Sequence, residues 1–318
     1  MNRSHIKSAI LLFSITVLAL SSPACKFNEN KGTVTSTKKY ETPFNAEHNT
    51  IMLPVRVGDS RKLKVILDTG MHFEGLLLYN VDQRDSITLK NAIEVFVPGA
   101  GGDSPSTALM ADSVSFFIGD QEFPNQRVIM LQNDIMQGFP SDGVTGYTLF
   151  GNYAVEIDYD RMMLLLHEPP IKVDSSWYLL PLTFKDNKIP WIQAAINING
   201  DEEVPISCYI DLASSDALEL LIRDTIKFTP PDNLEDAYLG RGLSGDIYGQ
   251  KGVISYLKLG RFYLKDVVTH FAPAEIRSKQ ENADGIIGNN ALRRFNIVFD
   301  YAGGRLYLKP SSHFNEPF

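Results

Sequence analysis

The run Lys64-Val65-Ile66-Leu67-Asp68-Thr69-Gly70 takes an apolar strand straight into a carboxylate, a hydroxyl and a glycine. A carboxylate in that place has to be hydrogen-bonded or shared, because an isolated buried charge is expensive and protonates instead. Gly70 lets the chain turn with its N–H aimed at the acid, and Thr69 adds a hydroxyl beside it. The same design recurs at Ile206-Ser207-Cys208-Tyr209-Ile210-Asp211-Leu212-Ala213-Ser214-Ser215. Two such acids in one chain suggest a pair.

Other chemistries find little support. The six histidines are scattered, with no two at metal-ligand spacing on one element, and Gly-x-Ser-x-Gly is absent, so neither a metal centre nor a serine nucleophile is expected. Gly99-Ala100-Gly101-Gly102 lacks the Gly-Lys-Ser/Thr ending and following helix of a phosphate loop. Cys208 lies inside an apolar strand and reads as a small buried hydrophobe. His72, four residues past Asp68, reads as a partly exposed turn histidine without a role. No cofactor is implied.

The elements that must hold these acids are written twice. Asn49-Thr50-Ile51 is echoed by Asn187-Lys188-Ile189, Asp68 by Asp211, Gly99-x-Gly101 by Gly240-x-Gly242, and Ile118-Gly119 by Leu259-Gly260. Asp142-Gly143-Val144-Thr145-Gly146 matches Asp284-Gly285-Ile286-Ile287-Gly288, and Glu156-Ile157-Asp158-Tyr159 matches Val298-Phe299-Asp300-Tyr301. Six landmarks in order, with spacings that differ by only a few residues, point to an internally duplicated domain. Short apolar runs between Gly, Pro, Asn and Asp turns make it mostly β. Each copy is expected to open with a hairpin (near 50 to 67, then 189 to 210) that leads into the acid-bearing turn. A Gly-rich hairpin follows, then a strand with the Asp-Gly turn, then a closing hairpin ending at Met162 to His167 or Arg305 to Lys309. Short helices are expected at Leu149 to Tyr153 and Asn290 to Phe295, and Pro169-Pro170 separates the copies.

At 318 residues and 44% hydrophobic content, the chain is long enough for two lobes that each bury a core. Basic residues, an apolar run from Ala9 to Leu20 and then Ser21-Ser22-Pro23-Ala24-Cys25 read as a secretory signal over residues 1–24, too short to span a membrane. Removing Arg3 and Lys7 with it leaves 28 basic against 38 acidic residues, net −10, which argues against nucleic acid and anionic membrane as partners. Cysteine directly after small residues resembles a bacterial lipoprotein signal, with Cys25 lipidated and the product anchored in the cell envelope; Ser22 departs from the aliphatic residue usual there, and plain secretion is the alternative. With Cys25 set aside, Cys208 has no partner for an intrachain disulfide. Residues 25–40 are polar and read as a tether, followed by lobe 1 over 41–170 and lobe 2 over 171–318.

These motifs together resemble the aspartic proteases of the pepsin and retropepsin type, particularly bacterial proteins with two retropepsin-like lobes in one chain. The resemblance rests on Leu67-Asp68-Thr69-Gly70, the Asp211-x-Ala213-Ser214-Ser215 copy, the Asp-Gly-x-x-Gly segments and the closing hairpins, and it covers residues 49 to 310. It implies two similar acid-protease-like β lobes with a cleft between them, a monomer, and a peptide or protein substrate. Asp68 and Asp211 would meet at the seam, share a proton and activate a water, a titration pattern for which this family is the standard example. Thr69, Gly70 and Ser214 would support the acids, and the hairpins around Gly99, Gly101, Gly240 and Gly242 would be mobile flaps. The Asp-Gly-x-x-Gly segments would thread behind each active turn, their aspartates serving the turn. Tyr248 sits in the second flap, with packing and substrate contact equally open.

The two turns are unequal. Met71 stands where a small or hydroxyl residue would help hold Asp68, and Leu212 and Ala213 replace Thr and Gly in the second turn. Leu212 has no hydroxyl to offer, and Ala213 is unfavourable if its position needs φ > 0. An inactive peptide-binding protein of the same shape is therefore the alternative to a protease.

Overall fold

The computed structural model describes residues 33–318 except 103, 186–187, 201 and 278–281, and leaves aside the side chain of Gln83. The signal over 1–24, Cys25, the tether up to residue 32 and the Asn187 landmark lie outside the described residues.

The chain builds the same eight-stranded sheet twice. In lobe 1 the spatial order is Asn45–Glu47, Thr50–Val57, Leu63–Leu67, Gly143–Thr145, Gly75–Leu78, Gln121–Leu131, Ser106–Ile118, Ile93–Val97. In lobe 2 it is Thr183–Phe184, Pro190–Asn197, Val204–Asp211, Gly285–Gly288, Leu218–Ile222, Phe262–Pro273, Gly245–Leu259, Glu235–Gly242. Position by position the two orders agree. Thr50–Val57 also pairs with Ser106–Ile118, and Pro190–Asn197 with Gly245–Leu259, so each sheet curls towards a barrel. Innermost strands such as Gly75–Leu78 and Gly285–Gly288 are buried at every residue, as expected where both faces are covered.

A third, six-stranded sheet joins the lobes in the order Tyr178–Pro181, Arg305–Pro310, Phe295–Asp300, Ala154–Asp158, Met163–His167, Lys39–Pro43. At its centre Val155, Glu156 and Ile157 face Phe299, Val298 and Ile297 in antiparallel register. Exchanging the two copies maps this pairing onto itself, so it is an internal two-fold contact of the isologous kind found in symmetric dimers. The short helices are Tyr147–Phe150 and Asn289–Leu292, each starting a residue or two before the expected position.

Two expectations need correction. The tether reading over 25–40 does not hold for Lys39 and Tyr40, which belong to the Lys39–Pro43 strand that edges the six-stranded sheet, nor for Val34–Thr35, which pairs with Lys172–Val173. A segment this polar carries no apolar pattern; its place in the sheet comes from backbone pairing to Met163–His167. The lobes also do not keep separate cores. One continuous apolar cluster holds Leu67, Phe150 and Ile157 of lobe 1 together with Ile210, Leu292 and Phe299 of lobe 2, and the Phe150 and Phe299 rings meet edge to face at 5.3 Å.

Candidate functional site

Leu63–Leu67 delivers Asp68 to the seam. Its parallel neighbour Gly143–Thr145 fixes where the strand stops, because the Asp68 N–H donates to the Thr145 carbonyl at 2.8 Å. Gly146 follows at once; a Cβ there would lie 1.8 Å from the Asp68 carbonyl oxygen, so only glycine lets the two backbones approach. Val204–Asp211 and Gly285–Gly288 repeat the arrangement in lobe 2. The Asp-Gly aspartates hold these crossings: Asp142 accepts from the Lys64 N–H at 2.7 Å and Asp284 from the Ser207 N–H at 2.8 Å. Each also carries a cation, Arg61 on Asp142 and Lys227 on Asp284. They anchor the turns and do not line the cleft.

Both acid loops fold their own N–H groups onto the carboxylate. Gly70 N–H donates to Asp68 Oδ1 at 2.6 Å, while Ala213 and Ser214 N–H groups donate to Asp211 Oδ1 at 2.9 and 3.2 Å. Neither Gly70 nor Ala213 has a positive φ, so alanine at 213 carries no backbone strain. Ser214 supports Asp211 through this N–H, and its hydroxyl accepts instead from the Asp216 N–H at 3.3 Å. Thr69 lies buried behind the acids. Its Oγ1 donates to the Ile210 carbonyl at 2.7 Å and accepts from the Leu212 N–H at 3.1 Å, clasping lobe 1 to lobe 2. Leu212 stands at the matching place in lobe 2 and has no hydroxyl to return the contact.

Asp68, Gly70, Asp211 and Ser214 line one cavity of about 410 Å³ together with Gly99, Gly240 and Gly242. Burial first, and the negative charge of Asp211 second, push the Asp68 carboxyl up from its ordinary 3.8 to about 7, against the lowering effect of the Gly70 and Met71 N–H groups. Such a group keeps its proton through acid and near-neutral pH beside a second carboxylate. Two carboxyl groups therefore face the same space, and that of Asp68 is raised by burial and by the charge of the other.

The Gly-rich hairpins roof that space and touch each other. Ser244 N–H donates to the Ala100 carbonyl at 2.9 Å, Gly99 N–H to Ser244 Oγ at 3.1 Å, and Ser106 Oγ to the Leu243 carbonyl at 2.7 Å. The exchange is reciprocal: Leu243 packs on an apolar cluster of lobe 1 that includes Leu77 and Ile129, and Ala100 packs on one of lobe 2 that includes Trp191 and Leu239. Gly101 sits in the tip contact outside the cavity lining; a Cβ there would meet the Gly245 carbonyl oxygen at 2.0 Å.

Tyr248 does not line the cavity; it is exposed on the outer hairpin, its ring 5.5 Å from that of Tyr238. His72 is exposed against Phe73, and Cys208 is fully buried with its thiol pushed well above the ordinary range. Among the described residues no group of three or more His, Cys, Asp or Glu side chains is placed to hold a metal ion. Reading the sequence alone missed Phe139, Ile189, Tyr209, Leu239, Arg241, Leu243, Ile247 and Asp216 as lining residues. Asp216 follows the second acid loop directly, and that adjacency was the one signal available.

The chain is similar in fold to an aspartic proteinase from Irpex lacteus, at 12% identity and a TM-score of 0.54, over 88% of this chain and 99% of that one. No protein-family model and no curated protein sequence matches. Similarity at this identity establishes the architecture, a mostly β chain of two barrel-like lobes in the manner of pepsin-like proteinases.

Proposed function

We propose that this protein is an aspartic-type peptidase that hydrolyses peptide bonds with a water activated between Asp68 and Asp211. The observation that carries the reading is the pair itself: two carboxyl groups on one roofed cavity, one of them held protonated up to about pH 7 partly by the charge of the other. The Asp211 carboxylate takes a proton from the water, whose oxygen bonds to the peptide carbonyl carbon. The carbonyl electron pair moves to oxygen, where the Asp68 proton meets the developing charge. Collapse breaks the C–N bond, the amine nitrogen leaves with the proton held by Asp211, and Asp68 recovers its own. Extended peptide would lie between the acid loops and the two hairpin tips, paired through its backbone.

Leu212 favours a second reading, peptide binding without turnover, because the clasp behind the acids is made from one side only. Incubating residues 33–318, and the Asp68→Asn and Asp211→Asn variants, with a mixed peptide library between about pH 3 and 8 separates the two. Cleavage by the parent, lost in both variants and failing above about pH 7 as Asp68 ionises, is the expected result. Binding without cleavage in the parent would establish the second reading.

The N-terminal segment gives either reading a place: export, with Cys25 acylated and the folded part held at a bacterial membrane. Acylated mass in the full chain and its loss in Cys25→Ser is the expected outcome.

A further inference from the structure

Two charged residues at the cavity have no part in this chemistry. Four charged residues line the space, namely Asp68, Asp211, Asp216 and Arg241. The Arg241 guanidinium is engaged, with Nε 2.6 Å from Asp246 Oδ1 and Nη2 3.2 Å from Oδ2, and Nη1 donates to the Ile135 carbonyl. Asp216 is therefore a third carboxylate beside the pair, and it is held firmly. His270 Nδ1 lies 2.8 Å from its Oδ2, its N–H donates to Ser214 Oγ, and its carbonyl accepts from the Asn290 N–H at 3.0 Å.

The duplicated fold shows that this group is not needed to build a lobe. Leu76 and Leu218 occupy the same place, opposite Thr145 and Ile287 respectively. Counting from them, lobe 1 has Glu74 where lobe 2 has Asp216, and Glu74 is exposed and does not line the cavity. The neighbouring strand pair is Leu77 and Ile129 in lobe 1 and Glu219 and His270 in lobe 2. Apolar side chains fill those positions at less cost than partly buried charges.

We infer that the cleft selects peptides carrying a lysine or arginine side chain that lies against Asp216, with His270 as the positioning residue behind that carboxylate. The inference rests on the reading of the cleft as a peptide site, with or without turnover. Ile189, Tyr209, Leu239 and Ile247 line the same cavity as Asp216, which suits an aliphatic stem ending in a cationic head. With Oδ2 on His270, Asp216 has Oδ1 to offer a cationic head, a charge-assisted contact that a neutral side chain cannot make.

His270 makes the preference depend on pH. Burial, the largest single influence, opposes its cation, as does Lys251, its partner on the next strand; Asp216 and Glu219 face it and together outweigh them, so the balance lies above the ordinary 6.5. Below that balance the imidazolium competes for Asp216. Above it His270 is neutral, so preference for a basic side chain rises with pH.

The test uses residues 33–318 and reduced-amide octapeptides, which cannot be cleaved, carrying lysine at each position in turn beside matched norleucine peptides. At about pH 8 a lysine peptide should bind at least tenfold more tightly than its norleucine partner, a ratio that Asp216→Asn brings close to one. In the Asp68→Asn background, which removes the ionisation at about pH 7 in the same cavity, His270→Gln should keep the ratio and remove its rise between about pH 5.5 and 8. Equal binding of the two series, no binding of either, or a ratio unchanged in Asp216→Asn in protein that melts like the parent would overturn the inference. Cleavage of unmodified peptides is scored separately: a lysine preference without cleavage leaves this inference standing and removes the peptidase reading.

Discussion

Thr69 and Asp68 occupy consecutive positions and act in different directions, one joining the lobes and the other supplying the carboxyl on which the proposed chemistry rests. The Thr69 hydroxyl makes two bonds to the backbone of the other lobe, both buried. Thr69→Val removes the donor and the acceptor while keeping the shape, and should cost about 1–3 kcal/mol by leaving the Ile210 carbonyl and Leu212 N–H unmet. Denaturant unfolding measures that loss, and turnover should fall with it because the acid loops would no longer be held in register. Asp68 behaves oppositely with respect to stability. Its pKa is raised on folding, from about 3.8 to about 7, so the folded chain binds the extra proton and stability declines as pH rises through that interval. Asp68→Asn should therefore melt higher than the parent at pH 7 to 8 and alike near pH 4. A melting gain that did not vary with pH would show that the carboxyl is not strained by its burial and by Asp211.

At the scale of the elements, the hairpin tips meet over the cavity, and on the proposed reading a peptide would enter only when they part. Gly101 is the sensitive point: its φ is +100° and its missing Cβ lets the Gly245 carbonyl approach. Gly101→Ala strains the backbone by about 1 kcal/mol or more and forces the tips apart. Weaker substrate binding is expected, read as a raised KM, with little change in melting temperature because the tips lie outside the core. Leu243→Ala removes the side chain that lobe 2 lays on the lobe 1 cluster, and should speed peptide release as well as entry. Stopped-flow binding separates the two rates.

Across the whole molecule, the lobes are copies that cannot be parted. Ala154–Asp158 and Phe295–Asp300 pair at the centre of the shared sheet, and the apolar cluster runs through both lobes. Residues 171–318 alone would expose the Phe295–Asp300 edge, whose six residues are all buried in the intact chain. That half should show no cooperative melting transition and should aggregate, whereas residues 33–318 should unfold in one transition by calorimetry.

The duplication, the two acid turns and the Asp-Gly crossings were legible from Asp68, Asp211, Gly143 and Gly285, because apolar runs ending in acids and glycines at close backbone approaches are local signals with few alternative causes. Residue types and their spacing imply two lobes and two acids. The unstrained Ala213, the action of Ser214 through its backbone, the interlocked hairpin tips and the place of Asp216 and His270 beside the pair emerge only from the folded chain. The first two depend on backbone conformation within the acid loop, and the last two on contacts between residues 54 to 145 positions apart, where no periodicity or spacing carries information; even Lys39–Pro43 became a strand only because Met163–His167 lay alongside to pair with it.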